Sequence, residues 1–328
     1  MAARVFSGIQ PTGSLHLGNY LGAIKSYVEL QDRYDAIYCI VDDHALTIRP
    51  DPAELRANVR EVAKTLLACG LDPKRCTLFV QSHVPQHTEL AWILTCVTAY
   101  GELGRMTQFK DKSEQAESKG DFISAGLFVY PVLQAADILL YRASIVPVGE
   151  DQVQHLELAR DIVRRFHSVY GETFVEPQPL LSPAKRILGL DGVHKMSKSR
   201  GNEIGLLEAP ETIRKKLAPA KTDEARKRRQ DPGEPTKCNI YSLHRFVTPA
   251  ATLPVIEVGC RTAGIGCLDC KGILAESIET IAKPIRERAA AIDANPKAID
   301  DALEQGARRA TEIAGATIQQ VRERTGLR

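Results

Sequence analysis

The first 160 residues alternate short apolar runs with longer helical stripes, and that alternation leaves few folds open. The runs 4-RVFSGI-9, 35-DAIYCIV-41 and 77-TLFVQS-82 are bounded by turn residues, as strands buried on both faces should be. Between the first two, Leu17, Leu21, Ile24 and Val28 recur at helical spacing. Between the second and third, Leu55, Val59, Val62 and Leu66 do the same. There Asp51 is placed to cap a helix, Pro52 suits its first position and Gly70 stops it. Strand, helix, strand, helix, strand in this order predicts an α/β chain with a Rossmann-type doubly wound parallel sheet. Past about residue 205 the strand signals fade and helical periodicity dominates, as in 299–324. The expectation is a Rossmann-type domain over 1–203 and an α-helical domain over 204–328.

The start MAARVFSG has no basic segment leading into an apolar core, so no signal peptide is expected. No apolar run approaches the ~20 residues that a spanning helix needs, so no membrane partner is expected either. A cytoplasmic chain follows, whose eight cysteines are thiols or metal ligands rather than disulfides. A net charge of +2 does not announce nucleic acid, but its distribution is uneven. Between Ile213 and Gln230 stand eight basic residues, Arg214, Lys215, Lys216, Lys221, Arg226, Lys227, Arg228 and Arg229, against two acids. Such a run is either a solvated face or a patch for a phosphate backbone.

After the first strand comes 11-PTGSLHLGNYLG-22. It is neither of the familiar glycine-rich phosphate loops. Gly13 and Gly18 nevertheless permit close backbone approach, the helix that follows offers free N–H groups, and His16 can donate to a phosphate oxygen. An incidental His in a glycine-containing turn is the alternative. Far along the chain, 195-KMSKS-199 sets two lysines and two hydroxyls in a loop between Gly192 and Gly201. As a mobile arm it could bring two cations to a developing pyrophosphate.

Together, HLGN (His16–Asn19) after PTG and the KMSKS loop resemble the two signatures of class I aminoacyl-tRNA synthetases. The segments 6-FSGIQPTG-13, 106-MTQFKDKS-113, 130-YPVLQAADILLY-141 and 146-VPVGEDQVQHLELARDI-162 are similar to the bacterial tryptophanyl-tRNA synthetases, and the likeness covers essentially the whole chain. The resemblance implies attack of an amino-acid carboxylate on the α-phosphorus of ATP, helped by Mg2+, then transfer to tRNA(Trp). Its catalytic residues would be His16, Lys195 and Lys198. It places Gln10, Pro11, Thr12, Gly18, Asn19, Gly149, Glu150, Asp151, Ile187, Met196, Ser197 and Ser199 around the nucleotide, with Asp151 suited to accept ribose hydroxyls. It also implies a homodimer.

Tyr130, Gln134, Asp137 and Tyr141 fall at i, i+4, i+7 and i+11, on one helical face. From spacing alone that stripe reads as a wet surface. The resemblance instead makes Asp137 the carboxylate that accepts the indole N–H of L-tryptophan, with Phe6, Val146 and Val148 as walls and Tyr130, Gln134 and Gln152 beside it. Gln134 departs from the many bacterial members with Met there, and Gln also occurs in tyrosyl enzymes. Tyrosyl-tRNA synthetase is therefore the alternative activity, and a non-catalytic tRNA-binding relative a further one.

Cys39, Cys69, Cys76 and Cys96 are scattered and read as small buried hydrophobes. Cys238, Cys260, Cys267 and Cys270 instead form C-x21-C-x6-C-x2-C, a pattern for tetrahedral thiolate ligation. Composition does not separate zinc from iron–sulfur. A subset of tryptophanyl-tRNA synthetases carries this arrangement, with one residue's difference in the long spacer, and binds a [4Fe–4S] cluster near the anticodon-reading surface.

Overall fold

The computed structural model describes residues 3–181 and 187–327. Its sheet has five parallel strands: β1 Arg4–Ile9, β2 Asp35–Ile40, β3 Cys76–Val80, β4 Ile145–Val148 and β5 Gln178–Leu181. They lie in the order β3-β2-β1-β4-β5. The chain builds outward from β1 to β3, then returns to β1's other side with β4. The crevice where that order reverses opens at the C-terminal ends of β1 and β4, where folds of this class bind ligands. The expected doubly wound sheet is thus present. The expected third strand ends at Val80, because Gln81–His83 turns away from the sheet as one 3-10 turn.

The crossover helices form for the reasons legible in their ends. Asp51 accepts from Ala53 N at 2.9 Å and Glu54 N at 3.0 Å, opening the helix Pro52–Cys69, and Gly70 closes it at φ +113°. The segment after β1 is helical from Leu17 to Leu30, with a widened π turn at Tyr20–Ile24. Leu17, Leu21 and Ile24 are buried as expected, Val28 packs half-buried against the same core, and Tyr27 is buried beside them.

Alternate strand residues feed two cores. Val5, Tyr38, Ile40 and Leu78 pack with Leu17, Ile24, Val62 and Leu66. Phe6, Ile37, Cys39 and Phe79 pack with the helices Ala125–Leu139 and Val153–Tyr170 on the other face. Beyond β5 the described residues form helices and two isolated bridges, and no further strand. The last helix, Lys297–Thr325, lies directly on β3 and gives Ala310, Ala314, Ile318 and Val321 to the second core. Gly306 allows this approach, since a Cβ there would fall 1.8 Å from the Leu78 carbonyl oxygen. Among the described residues no helix is long and apolar enough to cross a membrane.

Cys39, Cys69 and Cys76 are buried as expected, but Cys96 is exposed. The helix Gln86–Val97 turns Leu90, Ile93 and Leu94 inward, which leaves Cys96 with Trp92 on the outer side.

Candidate active site

The turn after β1 and the lysine loop, some 180 residues apart, meet in the crevice. Gly13 has φ +105°, and a Cβ on it would sit 2.9 Å from Lys198 Nζ. A Cβ on Gly18 would lie 3.0 Å from His16 Nδ1 and 3.2 Å from Met196 Cβ. Both glycines are therefore sites of close approach between the two motifs. The chain after the loop is tied to the same turn: Leu17 N–H donates to Ile204 O at 2.8 Å and Leu206 N–H to Leu15 O at 3.1 Å.

His16 forms a reciprocal cap. Its backbone N–H donates to Asn19 Oδ1 at 3.0 Å, and its Nδ1 accepts from Asn19 N at 3.3 Å. With Nδ1 accepting, the ring proton of the neutral form sits on Nε2, the atom left to donate. Burial lowers its pKa to about 4; the Glu203 carboxylate opposes that shift and Lys195 adds to it. His16 is thus a neutral N–H donor at pH 7. The free N–H groups expected at this helix start are fewer than the sequence suggests, because Ile204 and His16 itself take those of Leu17 and Asn19.

In the loop, Lys195, Lys198 and Ser199 are exposed, whereas Met196 is buried in the first core. Its side chain anchors the loop, leaving only its backbone available to a nucleotide. Ile187 is likewise buried, and its carbonyl accepts from Met196 N at 3.0 Å. Two residues the motifs do not reveal hold the loop's base. Asn202 accepts from Ser197 N at 2.8 Å and donates to Asp191 Oδ2 at 3.0 Å. Asp191 also accepts from Val193 N and His194 N, which holds its carboxyl well below the usual range.

Across the crevice, Gly149, Glu150 and Asp151 follow β4 and are exposed, as are Gln10 and Thr12 after β1, while Pro11 is buried. Asp151 Oδ2 accepts from Gln108 Nε2 at 3.2 Å and Gln152 Nε2 at 3.1 Å.

The polar stripe on the helix Ala125–Leu139 is not a wet surface. Asp137 is 2% exposed, and Tyr130 and Tyr141 are buried with it. Asp137 Oδ1 accepts from Gln81 Nε2 at 2.6 Å and His87 Nδ1 at 2.6 Å; Oδ2 accepts from His44 Nε2 at 2.8 Å. Burial alone would raise this carboxyl, but the His44 and His87 donors outweigh it and hold the pKa at about 2. Gln134 Nε2 donates to Gln152 Oε1 at 3.3 Å, and the Tyr130 hydroxyl pairs with His155 Nε2 at 2.9 Å. Phe6 stacks on Tyr141 with ring centres 5.6 Å apart, Val146 is buried beside them and Val148 half-buried. Lys112 Nζ stands 4.8 Å above the Tyr130 ring. His44, Gln81, His87, His155 and Lys112 escape a reading by motif. A signal does exist for His44 and His87: both begin the chain just past β2 and β3, at the sheet end where ligands bind.

With this geometry in place, the likenesses are specific. Residues 1–283 match the family described as tRNA synthetases class I (W and Y). The chain belongs to this family. It is 52% identical over 330 residues to the tryptophan–tRNA ligase of Deinococcus radiodurans, covering 99% of this chain and 98% of that one. Against the corresponding ligase of Gloeobacter violaceus the identity is 46% over 329 residues, 99% and 96% of the two chains. A solved tryptophanyl-tRNA synthetase from Campylobacter jejuni, complexed with ADP and tryptophan, superposes with a TM-score of 0.88 at 36% identity, covering 99% and 100%.

The four patterned cysteines of this synthetase come together on one small cavity, with Thr222, Arg226, Ile240 and Ile265. Cys267 and Cys270 share the first turn of the helix Cys267–Ala294, Cys260 comes from Leu253–Arg261, and Cys238 precedes Asn239–Val247. Burial and the other three thiols push Cys270 up to about 12, so ionising one sulfur is disfavoured by its neighbours unless a cation joins them. Among the described residues no group of three or more His, Cys, Asp or Glu is arranged to hold a metal ion. Much of the basic run is also spent internally. Arg226 donates to Arg229 O and Ile265 O at 2.8 and 2.7 Å, Lys216 pairs with Glu203 and Glu208, Lys221 with Glu224, and Arg229 with Asp269. Arg214, Lys215, Lys227 and Arg228 form no ion pair among the described residues and are exposed.

Proposed function

We propose that this chain is a tryptophan–tRNA ligase, which activates L-tryptophan with ATP and esterifies it to tRNA(Trp). One observation carries the reading: Lys198 Nζ reaches the Gly13 turn after β1, and Asp137 is buried among donors that follow β2 and β3 at the same end of the sheet. A tryptophan oriented by Asp137 would direct its carboxylate at the α-phosphorus. The new oxygen–phosphorus bond forms as the bond to the bridging oxygen breaks, and pyrophosphate leaves with the electron pair. His16 Nε2–H, Lys195 and Lys198 supply fixed positive potential as that charge develops. Gln10, Pro11, Thr12, Gly18 and Asn19 would line the nucleotide from β1, with Gly149, Glu150 and Asp151 from β4. The Met196 backbone, Ser197 and Ser199 would approach from the loop, and Ile187 would stand behind adenine. Mg2+ accompanies ATP as its counter-ion. Tyr130, Gln134 and Gln152 would receive the ammonium end, with Phe6, Val146 and Val148 flanking the ring.

The catalytic unit is assigned to 1–203 and tRNA anticodon reading to 204–328, in a cytoplasmic homodimer. Tyr100, 80% exposed, and Phe122, 69% exposed, support an apolar interface on the catalytic unit. At the four-cysteine cavity we assign a [4Fe–4S] cluster in preference to zinc. The reading rests on the C-x21-C-x6-C-x2-C pattern and on the four thiols lining one small cavity, an all-thiolate donor set that suits a cluster. Bound there, it would cross-link the segments that carry Cys238, Cys260, Cys267 and Cys270.

Amino-acid-dependent ATP–pyrophosphate exchange tests the activity. Exchange with tryptophan is expected, and exchange with tyrosine alone overturns the assignment. Anaerobically purified protein should absorb near 400 nm; a colourless protein with stoichiometric zinc removes the cluster.

A further inference from the structure

An ionised carboxylate offers about four lone-pair positions. In Asp137 three are filled: two on Oδ1 by Gln81 and His87, one on Oδ2 by His44. None of these donors is accessible, with Gln81 and His87 0% and His44 5% exposed. His87 continues the chain behind the carboxylate, since its Nε2 lies 2.7 Å from the Tyr141 hydroxyl. The hydrogen-bond directions close in one way. The Asp137 carboxylate only accepts, so the ring proton of neutral His87 sits on Nδ1, and the Tyr141 O–H donates to the Nε2 left bare. Tyr141 is itself fixed, buried and stacked on Phe6, the wall of the same pocket.

Resting on the reading of Asp137 as the indole acceptor, we propose that His87, locked by Tyr141, and Gln81 are positioning residues that set the enzyme's amino-acid specificity. They occupy Oδ1 completely, so the pocket presents one vacant acceptor position, on Oδ2 beside His44. An indole N–H only donates and fits that vacancy. A phenol that donated there would leave its own oxygen without a ring donor, because both neighbouring imidazoles have committed an N–H to Asp137. The side chains behind the carboxylate therefore decide what the carboxylate can recognise.

The test compares tryptophan with tyrosine, and with the isostere whose ring N–H is replaced by sulfur. Tyr141→Phe keeps the stacked ring and deletes only the hydroxyl. His87→Leu deletes the donor, and His87→Asn restores an N–H close to the Nδ1 position. In the wild type, kcat/KM should favour tryptophan over the sulfur isostere by on the order of a hundredfold or more. Tyr141→Phe and His87→Leu should each lower that preference roughly tenfold, through the tryptophan KM with the ATP KM unchanged, and His87→Asn should recover most of it. A thermal melt identifies any variant that fails to fold, and Tyr141→Phe carries the test if His87→Leu does. Folded variants whose preferences for tryptophan over both competitors stay within twofold of wild type overturn the proposal. A wild type that does not prefer tryptophan to the isostere overturns instead the assignment of Asp137.

Discussion

The half of the crevice proposed for the nucleotide, from Gln10 to Asn19 with the lysine loop, presents backbone and exposed cations. The half proposed for the amino acid, around Asp137, is buried, and Gln81, His87 and His44 already donate to that carboxylate. The difference follows from what each must hold. A triphosphate carries its own charge and counter-ion, arrives hydrated and leaves as pyrophosphate, so its site is open and its cations sit on a loop. An indole offers one weak donor on an apolar ring. Distinguishing it requires a fixed acceptor in a dry place, where a missing partner is costly. One half works by potential, the other by counting hydrogen bonds.

Removing the centre of each half should separate them most clearly. Asp137→Ala should reduce tryptophan-dependent exchange on the order of a thousandfold or more while leaving ATP binding intact. It also strands the donors of His44, Gln81 and His87, so its melting temperature should fall as well. Unchanged exchange kinetics would remove Asp137 from the pocket. Lys195→Ala should lower kcat about a hundredfold with little change in tryptophan binding, since its charge is needed only as pyrophosphate forms. A loss confined to the tryptophan KM would contradict the division between the halves.

The two halves also differ in how far sequence reveals them. The sheet was legible, because buried parallel strands and capped helices are written in contiguous residues such as Asp51, Pro52 and Gly70. The phosphate turn and lysine loop were legible for the same reason: each is a short local string with unusual composition. The Asp137 network is not local. Its members come from the ends of β2 and β3 and from the helix Ala125–Leu139, and only the fold joins them. Spacing placed Asp137 on a helical face, but that face being dry depends on what covers it. Met196 shows the converse limit, since it stands inside the recognisable loop and serves as its buried anchor.

A smaller perturbation probes the seam between the two motifs. Gly18→Ala adds a methyl 3.0 Å from His16 Nδ1 and 3.2 Å from Met196 Cβ, so ring and loop must each give by a few tenths of an ångström. The expected cost is about 1 kcal/mol of stability, with exchange slowed roughly tenfold and the tryptophan KM unchanged. A rise in the tryptophan KM would mean that the loop's seat and the amino-acid pocket are mechanically one unit.

The gentlest test changes only pH, and it reads a histidine in each half. Burial is the first cause of the lowered pKa, to about 4, of both His16, beside the phosphate turn, and His155, beneath Tyr130. In the unfolded chain each titrates near 6.5. Above that pH both states carry neutral rings and no contribution arises. As pH falls below 6.5 the unfolded chain takes up protons that the folded one refuses, so stability declines, levelling off below about 4 once both states are charged. The urea midpoint should therefore drop between pH 6.5 and 4. His16→Asn keeps a capping side chain without a titrating ring and should make that drop shallower, leaving the part that belongs to His155 and to His244, which burial also lowers to about 4. An unaltered slope in this variant would mean that His16 is protonated in the fold. The nucleotide half would then hold a third cation, not a neutral donor.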